Sequence, residues 1–134
     1  MIISRTYNSN FFKIKSTIDN MKEDLISDYR FGHIKIDGKV FTNDLLLLGK
    51  KVEANWWRNR GHQLKMEDLE KVIDFNPKTL IVGTGASGNM KVSSEVIQND
   101  HFDVEYYETK KAAEVYNQKL DNDKKVAAAF HLTC

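Results

Sequence analysis

Cysteine and long apolar runs are scarce in this 134-residue sequence, and each scarcity excludes a class of protein. The single cysteine, Cys134, rules out a disulfide within the chain and favours a reducing compartment. There is no run of about 18 apolar residues, so we expect no membrane-spanning helix. Lysines interrupt the apolar residues near the N-terminus, so a secretory signal peptide is not expected either. The sequence therefore predicts a cytoplasmic protein.

Net charge is also small, because 20 lysines and arginines face 19 aspartates and glutamates. A net charge of +1 provides no bulk attraction to nucleic acid or to an anionic membrane, and we expect neither as a partner. The hydrophobic content of 41% is typical of a soluble globular protein. At this length we expect one folded domain.

The N-terminal segment, residues 1–28, differs from the rest of the chain. Asparagine, serine and lysine make up 10 of its 28 residues, glycine is absent, and its apolar residues have only weak helical spacing. We interpret it as an N-terminal arm or an amphipathic helix that lies on the domain, or as a docking segment for a partner. Residues 29–134 are predicted to form a single α/β domain.

Within that domain, extended and helical patterns alternate. Asp37-Gly38 favours a tight hairpin turn, and the four leucines after Asp44 predict a strand covered on both sides. Further strands are predicted over Thr79–Val82 and Val126–Leu132, the latter central because it is almost entirely apolar. Thr109 is expected to cap a helix that runs to about Leu120. This order predicts an α/β fold with a mixed sheet, preceded by a β-hairpin section.

A glycine-rich loop, Gly83–Gly88, follows the strand at Thr79. It fits the dinucleotide pattern G-x-G-x-x-G, with Asp103 at the expected distance for the acidic residue. However, a dinucleotide loop opens directly into a helix, and here Asn89-Met90-Lys91-Val92 intervenes. A P-loop is not expected either, because the lysine and hydroxyl residue that it needs are missing. Nucleotide binding, binding of a small anion or other ligand, and a purely structural turn remain alternatives.

Candidate ligand-binding residues can be named around this loop. The loop itself contributes Gly83, Thr84 and Gly85, whose backbone amides could surround an anion. Polar side chains elsewhere could complete the lining, and these are Arg58, His62, Thr109, Tyr116 and Asn117.

A second candidate site is the aromatic and basic segment from Trp56 to His62. Aromatic and cationic side chains alternate there as in single-strand nucleic-acid sites, but the cluster is short and the chain is nearly neutral. One tryptophan in the core and an arginine paired with a carboxylate is the alternative that we favour. An exposed tryptophan beside arginines would instead suit a protein interface. The candidate partner-binding residues are Trp56, Trp57, Arg58 and Arg60.

Metal and covalent chemistry have little support in the sequence. The four histidines show none of the spacings of common metal motifs, so we expect no metal site and no cofactor. Cys134 and His131 could be a nucleophile and its base. They lie three residues apart on an extended segment, which points them to opposite faces, and burial for packing is the preferred interpretation.

Several segments together resemble a known family. They are Trp57-Arg58 with Gly61-His62, then Leu80–Gly85, then Thr109 through Tyr116-Asn117, and the ending Val126–Cys134. The resemblance covers about residues 29–134. It is to a family of small uncharacterised proteins first defined on a methanobacterial hypothetical protein. That family includes the adipogenesis-associated domain protein of animals and, more distantly, a mitochondrial complex I assembly factor.

The resemblance implies a three-layer fold around a mixed five-strand sheet whose last strand is antiparallel to the others. It also implies no established enzymatic activity or cofactor, and an assembly-factor branch that acts through protein partners. Our leading hypothesis is therefore a cytoplasmic binding or assembly-type protein without catalysis. The alternative is a small-molecule or anion-binding domain, which could be an enzyme, with a pocket beside Gly83–Gly88. The sequence names neither the partner nor the oligomeric state.

Overall fold

The computed structural model describes residues 24–134, which form three β-sheets and three α-helices. The strands are β1 (Ile26–Arg30), β2 (His33–Ile36), β3 (Lys39–Phe41), β4 (Leu45–Leu48), β5 (Lys51–Glu53), β6 (Gln63–Leu64), β7 (Thr79–Thr84), β8 (Lys91–Val92), β9 (Asp103–Tyr107) and β10 (Val126–His131). The helices are α1 (Glu70–Phe75), which follows a 3₁₀ turn at Met66–Leu69, α2 (Ser94–Ile97) and α3 (Thr109–Asn122).

The main sheet has five strands in the order β5-β4-β10-β7-β9. The last strand, β10, lies in the middle and is buried along its whole length, which confirms its predicted central position. It runs antiparallel to β4, with Ala128 opposite Leu47, and parallel to β7, with Ala128 opposite Ile81. The expectation that the last strand is antiparallel to all the others was therefore wrong. The strand that opposes its neighbours on both sides is β4.

Two apolar clusters, one on each face, make this sheet the middle of three layers. On one face α3 and the β1-β2-β3 sheet pack over alternate residues of β10, such as Ala128 and Phe130. On the other face α1, α2 and the 3₁₀ turn pack over Ala127 and Ala129. Because side chains alternate along a strand, the all-apolar sequence of β10 serves both layers. The α/β fold with a mixed five-strand sheet and a separate hairpin sheet is confirmed.

Local sequence signals explain most turns and ends of elements. Asp37 and Gly38 both have positive φ values, 51° and 78°, which is the geometry of the predicted tight turn between β2 and β3. Asn76 takes the left-handed conformation that ends α1 just before Pro77.

Two predicted boundaries differ from those observed. The residue that caps α3 is Glu108 rather than Thr109, which lies in the first turn with its hydroxyl bonded elsewhere. Strand β1 begins at Ile26 and packs into the core, so the domain starts before residue 29. Residues 1–23 of the predicted N-terminal arm lie outside the described residues.

Candidate functional site

A buried cluster of charged residues lies where β4 and β10 meet, at the carboxyl end of β10. Asp44 stands just before β4, His131 ends β10, and Arg58 comes from the loop after β5. Arg58 Nη1 lies 2.9 Å from Asp44 Oδ2, an ion-pair contact without the alignment of a hydrogen bond. The side chains of Arg58 and His131 are only 4% and 7% exposed. We call these three residues the Asp44 cluster.

Asp44 links the cluster to the main chain of the neighbouring strand. Its Oδ2 lies 2.8 Å from His131 Nδ1, and its Oδ1 accepts a hydrogen bond from the Leu132 amide, also at 2.8 Å. The short distance assigns the Nδ1 proton of His131 to Asp44, since a carboxylate can only accept. The other ring nitrogen, Nε2, is buried and has no hydrogen-bond partner among the described residues. The ring of His62 packs edge-on against the His131 ring, with centroids 5.8 Å apart.

Electrostatics within the cluster favour the ionised form of Asp44. Burial is the largest single influence and raises its pKa. The contacts with His131, the Leu132 amide and Arg58, together with the charge of His131, outweigh burial, so the pKa of Asp44 lies below its usual value. The cluster is therefore a carboxylate held by a guanidinium, an imidazole and a backbone amide.

Arg58 also fixes the loop between β5 and β6, residues 54–62, which has no regular secondary structure. Its Nη2 and Nε donate to the Gly61 carbonyl at 2.6 and 3.2 Å, so the loop closes on its own guanidinium. The guanidinium carbon lies 4.7 Å from the centre of the Trp56 ring. Trp56 itself packs against the core and donates its indole N–H to the Asp68 carbonyl at 2.9 Å. Both residues are thus structural anchors of this loop.

Between these two anchors the loop presents Trp57 to solvent. The Trp57 side chain is the most exposed large apolar group among the described residues, at 81%. Arg60 and His62 are exposed as well. Adjacent residues of an extended segment point in opposite directions, so the inward Trp56 and Arg58 place Trp57 outward. The structure therefore combines a fixed backbone with an uncovered indole.

The glycine loop meets the end of the chain rather than open solvent. Two of its amides donate to the main-chain carbonyls of Thr133 and Cys134, Ala86 N at 2.6 Å and Ser87 N at 3.3 Å, and the next residue, Asn89, donates its amide to Cys134 at 3.0 Å. The amide of Gly85 donates to the Thr109 hydroxyl at 2.8 Å, and that of Gly88 to the Gly85 carbonyl. Because these amides already have acceptors within the protein, this geometry argues against their use as an anion cradle.

Close packing explains two of the glycines. A Cβ atom on Gly85 would lie 2.3 Å from the carbonyl carbon of Cys134, and the residue has φ of +111°. A Cβ atom on Gly83 would lie 2.8 Å from the Phe130 ring. The Thr109 hydroxyl in turn donates to the His131 carbonyl at 2.6 Å. Glycine is needed here so that β7, α3 and the chain after β10 can meet.

The predicted lining residues divide between three places. Thr84 and Thr109 lie at the glycine loop, where the buried Thr84 hydroxyl donates to the Tyr107 carbonyl at 3.0 Å.

The Tyr116 hydroxyl donates to the Gly49 carbonyl at 2.6 Å, and burial raises the pKa of Tyr116 strongly. Asn117 exchanges two hydrogen bonds with the backbone of Ile26 and so ties α3 to β1. Tyr116 and Asn117 bind other segments of the chain, and only Arg58 and His62 belong to the Asp44 cluster and its loop.

An open groove of about 440 Å³ lies elsewhere, between the β4-β5 hairpin and α1. Its apolar lining comes from Leu48 and Phe75, and the charged residues around it are Lys51, Glu53, Lys71 and Asp74. Glu53 already pairs with both of these lysines, at 3.1 and 2.8 Å. None of the predicted site residues lines it. The groove thus offers exposed, mutually paired charges rather than converging free groups.

Residues 24–134 contain no group of three histidine, cysteine or acidic side chains arranged to hold a metal ion. In the same range no helix is long and apolar enough to cross a membrane.

Sequence patterns missed two members of the Asp44 cluster. The sequence suggests His131 only as a base for Cys134, and it marks Asp44 only as the residue before a strand. The signal that could have found them is a polar residue at the end of each of two apolar strands, Asp44 before β4 and His131 at the end of β10. These ends adjoin because the two strands pair antiparallel, with Phe130 opposite Leu45. That signal requires the strand pairing to be known.

The fold and site together define a class: a three-layer α/β domain with a central C-terminal strand and a buried acid–base cluster at that strand's end. The matching family model is that of a protein of unknown function (DUF498/DUF598), and it covers residues 26–131. The chain belongs to this family.

Solved structures support the same assignment. The conserved hypothetical protein PH1505 from Pyrococcus horikoshii OT3 is 30% identical, with a TM-score of 0.69, over 81% of this chain and 98% of that one. A protein described as MT938 is 24% identical, with a TM-score of 0.67, over 82% and 98% of the two chains. A Mth938-like domain from Bordetella pertussis shares the fold at 15% identity, with a TM-score of 0.60, over 98% and 92%. These structures share the fold of this chain, and their names assign no activity.

Proposed function

We propose that this protein is a cytoplasmic binding or assembly-type protein without catalysis, and that Trp57 anchors its protein partner. The observation that carries the proposal is the 81% exposure of an indole on a loop held from both sides by Trp56 and Arg58. Tryptophan and arginine contribute a disproportionate share of binding energy at protein interfaces. A loop that is already ordered loses little conformational entropy on binding.

The resemblance described above supports the same proposal. That resemblance extends, more distantly, to a mitochondrial complex I assembly factor. The assembly-factor branch acts through protein partners. The exposed Trp57 on its fixed loop gives this chain a contact point for such a partner.

The proposal is tested by quantitative affinity capture from native cytosol with wild-type and Trp57→Ala proteins as bait. We expect a set of proteins retained by wild type to be lost with Trp57→Ala, with more than about 1 kcal/mol of binding removed for a direct partner. Tyr106→Ala is the matched control, because Tyr106 is a 54% exposed aromatic residue on β9. Thermal unfolding of all three proteins should coincide. Identical partner sets for wild type and Trp57→Ala would refute the proposal.

A second candidate function is the binding of a small polar molecule at the Asp44 cluster, beside the end of the glycine loop. The observation that favours it is the buried Nε2 of His131, which lacks a partner among the described residues although buried polar groups are normally paired. Its register partner in β7 is Thr84, the residue before Gly85. A small-molecule library screened by ¹H–¹⁵N NMR would test it, with the His131 ring nitrogens as the reporters. Saturable shifts at Nε2 would support this function, and an unchanged ring signal across the library would refute it.

A further inference from the structure

The charges around Trp57 point to a particular kind of partner. We infer that the partner presents an acidic segment, with aspartate or glutamate side chains next to the apolar pocket that receives the indole. This inference rests on the proposed function, because it specifies the partner of the same loop. It follows from which charged side chains near the loop are already bonded within the chain and which are not.

The carboxylates near the loop are engaged by this chain's own groups. Asp44 is held by Arg58 and His131, and Asp68 accepts a hydrogen bond from the Lys65 amide at 2.9 Å. Glu67 accepts a hydrogen bond from the side-chain amide of Asn59. Farther along, Glu95 accepts from the Met66 amide at 2.8 Å.

The exposed cations near the loop lack such partners. Arg60 is exposed and makes no ion pair among the described residues. Lys91 is likewise exposed without an ion pair in residues 24–134, and its amide donates to the His62 carbonyl at 2.8 Å, so β8 brings it to the end of the loop. Buried Arg58 is neutralised by Asp44. Arg60 on the Trp57 loop and Lys91 on the strand bonded to the end of that loop are therefore two cations without an ion-pair partner among the described residues. Glu67, Asp68 and Glu95 keep their charge, because their hydrogen bonds come from neutral amides.

An acidic segment complements this surface in two ways. Its carboxylates would pair with Arg60 and Lys91, and arginine can bind a carboxylate through two parallel hydrogen bonds. Such charge complementarity selects the partner and its orientation more than it adds affinity, while the indole supplies the apolar contact. A like-charged partner would meet repulsion at the same positions. Single-stranded nucleic acid is the rival occupant, since it is also anionic and stacks on aromatic rings.

The experiment selects peptides from a phage-displayed random library on the wild-type full chain, with counter-selection against the Trp57→Ala protein. Synthetic copies of the enriched peptides are then titrated by fluorescence, because an exposed indole changes its emission when it is covered. We expect enriched peptides to contain aspartate or glutamate beside an apolar residue. Arg60→Glu should weaken their binding by about fivefold or more. Replacing a glutamate of the peptide with lysine should restore binding to the Arg60→Glu protein.

Three controls make the result specific. Lys35→Glu changes an exposed lysine on β2 and should leave the affinity unchanged. Raising the salt from about 0.1 M to about 1 M should weaken the acidic peptides, because the Debye length falls from about 10 to about 3 Å. Single-stranded oligothymidine is titrated in parallel with the peptides.

The outcomes separate this inference from the function on which it rests. The acidic partner would be overturned if the affinity of the peptides depends on Trp57 but changes neither with Arg60→Glu nor with peptide charge. Trp57 would then remain a protein anchor. Oligothymidine that binds through Trp57 more tightly than any enriched peptide would overturn it in favour of nucleic acid. If no peptide or oligonucleotide depends on Trp57, both the inference and the proposed function fail.

Discussion

Replacement of Arg58 by alanine tests whether the Asp44 cluster fixes the Trp57 loop. The substitution removes the guanidinium that lies 2.9 Å from Asp44 and that donates to the Gly61 carbonyl. It also removes the stacking on Trp56, where the guanidinium carbon lies 4.7 Å from the ring centre. The ion pair that joins residues 54–62 to Asp44 and two contacts within the loop are therefore lost together, while Trp57 itself is untouched.

The size of the effect follows from what remains around Asp44. Removal of one partner from a buried ion pair costs about 3–5 kcal/mol, because a buried charge is left without compensation. Asp44 keeps hydrogen bonds from His131 and from the Leu132 amide, and its side chain is 17% exposed. The loss should therefore lie at the lower end of that range, about 3 kcal/mol. For a domain of this length it corresponds to a fall in Tm of roughly 10 °C.

Equilibrium denaturation by urea measures this loss, and Arg60→Ala is the matched control on the same loop. Arg60 is exposed and makes no ion pair among residues 24–134, so its replacement should change the free energy of unfolding by no more than about 0.5 kcal/mol. The double variant Asp44→Asn/Arg58→Met should lose less than the sum of its single variants, because neither charge is then left alone. If Arg58→Ala costs no more than Arg60→Ala, the cluster does not hold the loop and the reasoning is wrong.

Three further predictions concern the strand, the glycine loop and pH. Ala128→Asp should cost more than about 3 kcal/mol in urea denaturation, since it places an unpaired charge at a fully buried site in the central strand; a loss within about 0.5 kcal/mol would contradict the central packing. Gly85→Ala should cost at least about 1 kcal/mol because its Cβ would meet the Cys134 carbonyl at positive φ, whereas Gly61→Ala, with open space and no positive φ, should be nearly neutral. The pKa of Asp44 is lower in the folded state, so its contribution to stability is full above about pH 4 and is lost as pH falls through the folded pKa. The difference in unfolding free energy between wild type and Asp44→Asn should shrink over that range, and a constant difference down to about pH 2 would show that Asp44 is not stabilised.

Local composition and spacing by themselves determined much of the fold. The all-apolar stretch after Val126 predicts a strand covered on both faces, because no polar side is left for solvent, and β10 is central. The Asp37-Gly38 turn and the helix end at Asn76-Pro77 follow from backbone preferences of single residues. These signals act within a few residues, so they can be recognised in a linear sequence.

Only the tertiary structure decided what these elements do together. The direction of β10 depends on the path of α3, which connects β9 to β10. No residue within β10 indicates that this strand is parallel to β7. The glycine loop looks the same in sequence whether it faces a ligand or the chain's own Thr133 and Cys134 carbonyls. The Asp44 cluster joins residues 44, 58 and 131, whose polar atoms meet through strand pairing and loop closure. Its charges are paired over long sequence separations, and such pairing becomes visible only when the chain has folded.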